Sequence, residues 1–244
     1  MTFELMLLIS LSIFIIALMY SSVGHAGASG YIAVMALFGI VPTIIKPTAL
    51  VLNILVASIA TWQFWRAGHF SWNLFWPFAL SSIPFAFIGG ASQLPTTPFN
   101  LLIGITLLYT AVRFFIKPKD EVATKPLFLP IALCIGALIG FFSGLIGVGG
   151  GIFLTPLILL LKWGNTKTAA AVSAVFILLN SISGLLGNIS STNYLPSFII
   201  PISIAAIVGG TAGSYLGSRK FSPLIIKRIL AVVLLVAGVK LIAI

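Results

Sequence analysis

The chain has 244 residues, 60% of them hydrophobic and 7% charged, and its mean hydropathy of +1.22 excludes a water-soluble globule, which carries roughly 25% charged residues. Glu4, Asp120 and Glu121 are too few carboxylates for paired acid/base catalysis or an oxygen-ligand metal cage, and Cys134, His25 and His69 make neither a disulfide framework nor a zinc site. Thirteen Lys and Arg residues give a net charge of +10, but they lie between apolar runs and form no cluster of the kind nucleic-acid binding needs. The composition therefore predicts no enzyme, no metal site and no cofactor.

Apolar runs of about 20 residues, the length an α-helix needs to cross the hydrocarbon, recur from end to end. Full-length spans are expected at Phe3–Val23, Pro47–Trp65, Trp72–Ala91, Pro98–Ile116, Leu127–Ile146, Thr168–Gly187, Leu195–Leu216 and Leu224–Leu241. The first lacks the basic flank of a signal peptide and reads as a retained span. Tyr31–Val41 and Ile152–Leu161 are too short to cross, and each follows a Gly-rich break, which predicts two half-helices. The expected fold is an all-α polytopic membrane protein, a helical bundle of eight full spans plus two broken or re-entrant half-helices.

The order of pieces repeats: span, Gly-rich break, half-helix, three spans, then the same again. Laying one half on the other sets Ser22 on Ser143, Gly30 on Gly151, Lys46 on Lys167, Ala49 on Ala170 and Val51 on Val172. Short cytoplasmic loops are rich in Lys and Arg. With Lys117–Lys125 inside, Arg66, His69, Lys162, Lys167 and the group Arg219, Lys220, Lys227, Arg228 also fall inside. The uncharged Gln93–Thr97 and Asn188–Tyr194 fall outside, and only Lys46 lands on the wrong side. Each half then makes an odd number of passes, which predicts an inverted repeat: residues 1–116, a cytoplasmic linker at 117–126, and residues 127–244. Secondary transporters build midplane sites on such pairs of broken helices.

The sharpest local feature is Gly147-Val148-Gly149-Gly150-Gly151, followed by Thr155-Pro156. Glycines let the backbone turn with φ > 0 and bring N–H groups together, and the half-helix that follows adds its positive dipole end. Gly147, Gly149, Gly150 and Gly151 are thus candidates to cradle an anion without a charged side chain. The equivalent stretch of the first half supplies Ser22, Gly24, His25, Gly27, Ser29 and Gly30, with His25 ionisable inside a membrane run. Gly144 and Gly184 read as packing glycines. Asn53, Ser58 and Gln63 in one half, and Ser173, Asn180, Ser181 and Ser183 in the other, interrupt apolar spans. Of these, Asn53, Ser173 and Asn180 are the candidates to line the site; Ser173 and Asn180, seven apart, share a helix face. Lys46, Lys167 and Arg66 read as snorkelling residues at span ends, and Trp62, Trp65, Trp72, Trp76 and Trp163 as an interfacial belt.

The segment Gly147–Leu157, with Lys167-Thr168-Ala169-Ala170-Ala171-Val172-Ser173 after it, resembles the sulfite exporter TauE/SafE family of bacterial membrane transporters. Length and the order of apolar segments agree; in the first half Gly27-Ala28-Ser29-Gly30 replaces the glycine run and Met35 stands opposite Pro156. The resemblance implies export of sulfite or a small organosulfur or organic anion across the bacterial cytoplasmic (inner) membrane. The residues alone reach a transporter of a small anionic solute working by alternating access. An anion channel or uptake permease using the same breaks, or a membrane scaffold subunit, stays open. The expected partners are that solute and the lipid bilayer, with no nucleic acid; a homo-oligomer is compatible with the sequence.

Overall fold

The computed structural model describes residues 3–22, 25–115, 125–192, 198–217 and 223–243. Gly24, residues 117–124, Arg219 and Lys220 lie outside them, as does the side chain of Ser22. The described residues form ten α-helices and no strand: α1 (Phe3–Ser22), α2 (Ala28–Leu37), α3 (Pro42–Arg66), α4 (Trp72–Ala91), α5 (Thr96–Phe115), α6 (Leu129–Ile146), α7 (Gly151–Leu160), α8 (Thr166–Thr192), α9 (Ile199–Gly217) and α10 (Pro223–Ala243). Among them α1, α3, α4, α6 and α8 are long and apolar enough to cross a membrane. Leu7, Leu11, Leu80, Ile88, Leu138 and Leu186 are exposed on their outer faces, where a soluble protein would carry charge. The chain is an all-α polytopic membrane protein. The other three expected spans coincide with α5, α9 and α10; α5 is interrupted by Thr96, Thr97, Asn100, Thr106 and Thr110, and the side chains of α9 and α10 are described only in part.

Several boundaries depart from the sequence expectation for local reasons. α3 begins at Pro42 and holds Pro47 inside it, because a proline at the first helical position loses an N–H that would be free anyway. α2 begins at Ala28, three residues early, since Gly27 (φ 100°) makes the left-handed turn directly before it. α8 runs on to Thr192, so Asn188 is buried in a helix and not in a loop.

Helix directions follow from glycine contacts. Gly136, Gly140 and Gly144 of α6 lie against Phe78, Ser82 and Ala86 of α4 in the same order, so the two run parallel. Gly209 and Gly213 of α9 lie against the carbonyls of Phe14 and Leu18 of α1, also parallel. α8 crosses α3 antiparallel, with Gly184 near Leu50 and Ser181 level with Asn53. α5 and α10 are antiparallel through Gly104 and Gly238. The half-helices double back: Gly27 and Gly30 of the first pass Tyr20 and then Ile16 of α1, and Gly151 and Thr155 of the second pass Ile177 and then Ser173 of α8.

Lys46 corrects the sequence reading. It is 5% exposed and does not snorkel: its ammonium donates to the carbonyls of Gly89 (3.1 Å), Gly90 (2.7 Å) and Ser92 (2.9 Å) at the C-terminus of α4. Helix C-termini present free carbonyls and a negative dipole end, so the residue caps a helix and says nothing about topology. That accounts for its being the one misfit in the charge pattern.

Two stability predictions follow. Gly140→Leu places side-chain atoms on the Ser82 backbone and should lower stability by roughly 1–3 kcal/mol, read as a lower thermal midpoint in detergent; an unchanged midpoint would contradict the α4–α6 contact. Lys46→Met leaves three carbonyls without their donor and should cost about 1–3 kcal/mol, with Lys46→Arg closer to the parent in the same assay.

Candidate functional site

α6 ends at Ile146 and the chain turns through three left-handed glycines, Gly147 (φ 90°), Gly149 (φ 78°) and Gly150 (φ 80°). A side chain at these angles is strained, so glycine is required here. The N–H groups of Gly147 and Val148 both donate to the Ser143 carbonyl, at 2.8 and 3.2 Å. The Gly150 carbonyl accepts from Phe153 and Leu154, both at 3.1 Å, starting α7. The N–H groups of Gly149, Gly150, Gly151 and Ile152 have no acceptor among the described residues. Gly149 to Gly151 are buried, and an unpaired buried N–H costs about as much as a lost hydrogen bond.

Side chains from three helices close around this turn. Asn53 of α3 donates its Nδ2 to the Val148 carbonyl at 3.2 Å, while its Oδ1 has no partner. A Cβ on Gly149 would stand 2.9 Å from both Asn53 Nδ2 and Ser181 Oγ, and one on Gly150 would stand 3.3 Å from Ser143 Oγ. Asn53, Ser181 and Ser143 are each 0% exposed, and neither serine hydroxyl has a hydrogen-bond partner. The result is a closely packed buried turn with free N–H donors at a helix N-terminus, two free hydroxyls and the free Asn53 Oδ1, beside the Leu145, Ile146, Gly147 and Gly149 carbonyls, which have no donor among the described residues. The N–H groups and the positive dipole end of α7 are the part of this arrangement that can accept an oxyanion.

The structure brings Gly147, Gly149, Gly150, Gly151 and Asn53 together. Ser173 lies one turn below the break and accepts a 2.7 Å bond from Thr155 Oγ1. Asn180 donates Nδ2 to the Phe176 carbonyl of its own helix at 2.8 Å and keeps a buried, unpartnered Oδ1. Sequence reasoning does not single out Ser143 and Ser181 as site residues, although the structure sets both against the glycine turn. The signal for Ser181 is its spacing: it follows Ile177 and Ser173 at steps of four, on the stripe of α8 that faces Gly149 and Gly151.

The first half is built differently. The backbone N–H of His25 donates to the Tyr20 carbonyl at 3.0 Å. Two fully buried phenols fill the break: Tyr20 hydroxyl pairs with Ser29 Oγ at 2.7 Å, and Tyr31 hydroxyl donates to the Ala26 carbonyl at 2.8 Å. Gly27 lies against both rings and Gly30 against Tyr20 and Ile16. Ser29 thus spends its hydroxyl on a neighbour, where the sequence expectation had it facing a solute. Among the described residues no group of three or more His, Cys, Asp or Glu side chains could hold a metal ion.

Comparison with known proteins agrees with this architecture. The family model described as "Sulfite exporter TauE/SafE" matches residues 9–241. The chain is 43% identical over 238 residues to "Probable membrane transporter protein y4hK" of Sinorhizobium fredii, covering 96% of each. It is 28% identical over 262 residues to "Probable membrane transporter protein MJ0441" of Methanocaldococcus jannaschii, covering 97% of this chain and 96% of that one. No solved structure gives a significant match. With the match running over nearly its whole length, the chain belongs to the sulfite exporter TauE/SafE family, whose members are membrane transporters and not enzymes.

Proposed function

We propose that this transporter exports a small anion, sulfite or a small organosulfur or organic anion, across the cytoplasmic membrane, and that the α6–α7 break holds it. One observation carries the reading: the unpaired N–H groups of the buried Gly149 and Gly150 lie beside the free hydroxyls of Ser181 and Ser143. An apolar interior leaves such donors unfilled only where a polar occupant takes them up. The family description supplies the kind of occupant, since sulfite is small, negatively charged and rich in acceptor oxygens.

The helix directions support two inverted halves, residues 1–116 and 127–244 joined by a cytoplasmic linker. Exchanging the halves turns the parallel pair α4–α6 into α9–α1, which is also parallel, and leaves the antiparallel pairs α3–α8 and α5–α10 in place. Rocking one half against the other around α3 and α8 exposes the break to each face in turn. An inside-negative membrane potential favours anion export by about 2.3 kcal/mol per charge per 100 mV, so export needs no coupling ion.

The test is counterflow of labelled sulfite in proteoliposomes, with sulfate, thiosulfate, sulfoacetate and taurine as competitors. Saturable counterflow is expected from the parent. In Gly149→Val, whose side chain meets Asn53 and Ser181 at a left-handed position, it should fall at least 100-fold, the cost of blocking close backbone approach at a glycine turn. Parental flux from a correctly inserted Gly149→Val protein would rule out the break as the site.

A further inference from the structure

The site on α7 carries one group that a plain anion does not use. Asn53 gives its Nδ2 to the Val148 carbonyl, which fixes the amide so that the atom left over is the acceptor Oδ1. That oxygen is 0% exposed and has no donor, at the same turn as the unpaired N–H groups of Gly149 and Gly150 and the free hydroxyls of Ser143 and Ser181. A dianion or a proton-free monoanion presses only oxygens or carbon against it and leaves it unpaired. An oxyanion with its own O–H satisfies it and hands its remaining oxygens to Gly149–Ile152, Ser143 and Ser181. No cationic side chain is among the nearest neighbours of Gly149 or Gly150, and Lys46, whose stem packs on Gly147, gives its ammonium's bonds to three carbonyls of α4. A site of neutral donors in an apolar surround holds one negative charge far more readily than two.

We infer that the occupant recognised by Asn53 Oδ1 and the α7 N-terminus is a singly charged oxyanion bearing a hydroxyl, hydrogensulfite in the case of sulfite. The inference rests on the proposed anion site and names the protonation state it selects. The proton then travels on the solute, and no carboxylate in the protein is needed to move it. The described ionisable side chains on α3 and the elements packed against it are Lys46 and Arg66 of α3, Glu4 and Tyr20 of α1, Tyr31 of α2, Tyr109 and Arg113 of α5 and Lys167 of α8, with His25 in the first break; the side chain of Tyr215 of α9 lies outside the described residues. The immediate neighbours of Gly149 are Asn53, Ile177 and Ser181, none ionisable.

The experiment is counterflow of labelled sulfite across the pH range that brackets its second ionisation, with methanesulfinate as competitor. Methanesulfinate has the shape and charge of hydrogensulfite with a methyl in place of the hydroxyl, and it does not titrate in this range. Any pH effect on its competition therefore reports the protein's own groups and is divided out. The apparent affinity for total sulfite should fall about tenfold per pH unit above that ionisation, and methanesulfinate should compete roughly 10- to 100-fold more weakly than hydrogensulfite, because it strands a buried acceptor. In Asn53→Leu the preference over methanesulfinate should collapse towards one; a merely structural role for Asn53 would weaken both solutes alike and keep the ratio. Equal competition by methanesulfinate, or an affinity for total sulfite that is flat with pH, overturns the inference while leaving anion transport standing. Absence of counterflow for every solute at every pH overturns the anion site and this inference together.

Discussion

An interrupted backbone inside an apolar surround is the constraint on which the rest of the structure depends. A continuous helix satisfies its own N–H and C=O groups, whereas a break leaves several of each to be satisfied by something else. Between α6 and α7 three carbonyls are provided for: Ser143 O takes two N–H groups, Gly150 O takes two more, and Val148 O is met by Asn53 from the opposite half. The N–H groups of Gly149 to Ile152 are not. The turn therefore leaves groups of both kinds, N–H donors at the start of α7 and the carbonyls of Leu145, Ile146, Gly147 and Gly149 at the end of α6. The same chemistry would be wasteful in a scaffold, where a helix through this region would cost nothing.

Holding such a break in place needs helices that approach closely, and lipid offers no hydrophobic drive for that. The chain uses backbone-on-backbone contact. Gly136, Gly140 and Gly144 seat α6 on α4, while Gly90 and Gly187 seat α4 and α8 on each other. These contacts converge near the C-terminal ends of α4 and α6, where Lys46 caps α4 and its own backbone lies against Gly147. The cap and the break are therefore neighbours: a buried cation neutralises one helix end a single turn away from where another helix is cut. Fixing α4 and α3 to each other at that point fixes Asn53 in register with Val148.

Much of this was legible in the sequence because length and apolarity are local properties. The ends of α4 and α6 and the start of α7 fall within two residues of the expected boundaries, and the glycine run marked the turn. What escaped depends on partners far along the chain. Lys46 looks like any basic residue at a span end until the carbonyls of Gly89, Gly90 and Ser92 arrive from the next helix. Ser29 looks like a free donor until Tyr20 folds back on it. Pro47 looks like a helix start because proline usually is one, and only Pro42 five residues earlier, occupying that role, displaces it. Ser181 differs from Ser183 by which helix each meets: the first stands over Gly149, the second donates to the Ile83 carbonyl of α4.

The two halves share an order of elements but not a chemistry. Both half-helices follow a left-handed glycine and both run back along a long helix. In the first half the space at the turn is taken by the rings of Tyr20 and Tyr31, whose hydroxyls are spent on Ser29 and Ala26. In the second, Ser143 and Ser181 stand against Gly150 and Gly149 with their hydroxyls unpartnered. Pseudo-symmetry in a carrier serves motion, since related halves reach related conformations on the two faces; it places no demand that each half bind solute. One break is filled with phenols and the other leaves donors bare, which is the asymmetry expected of the proposed carrier with a single site in its second half.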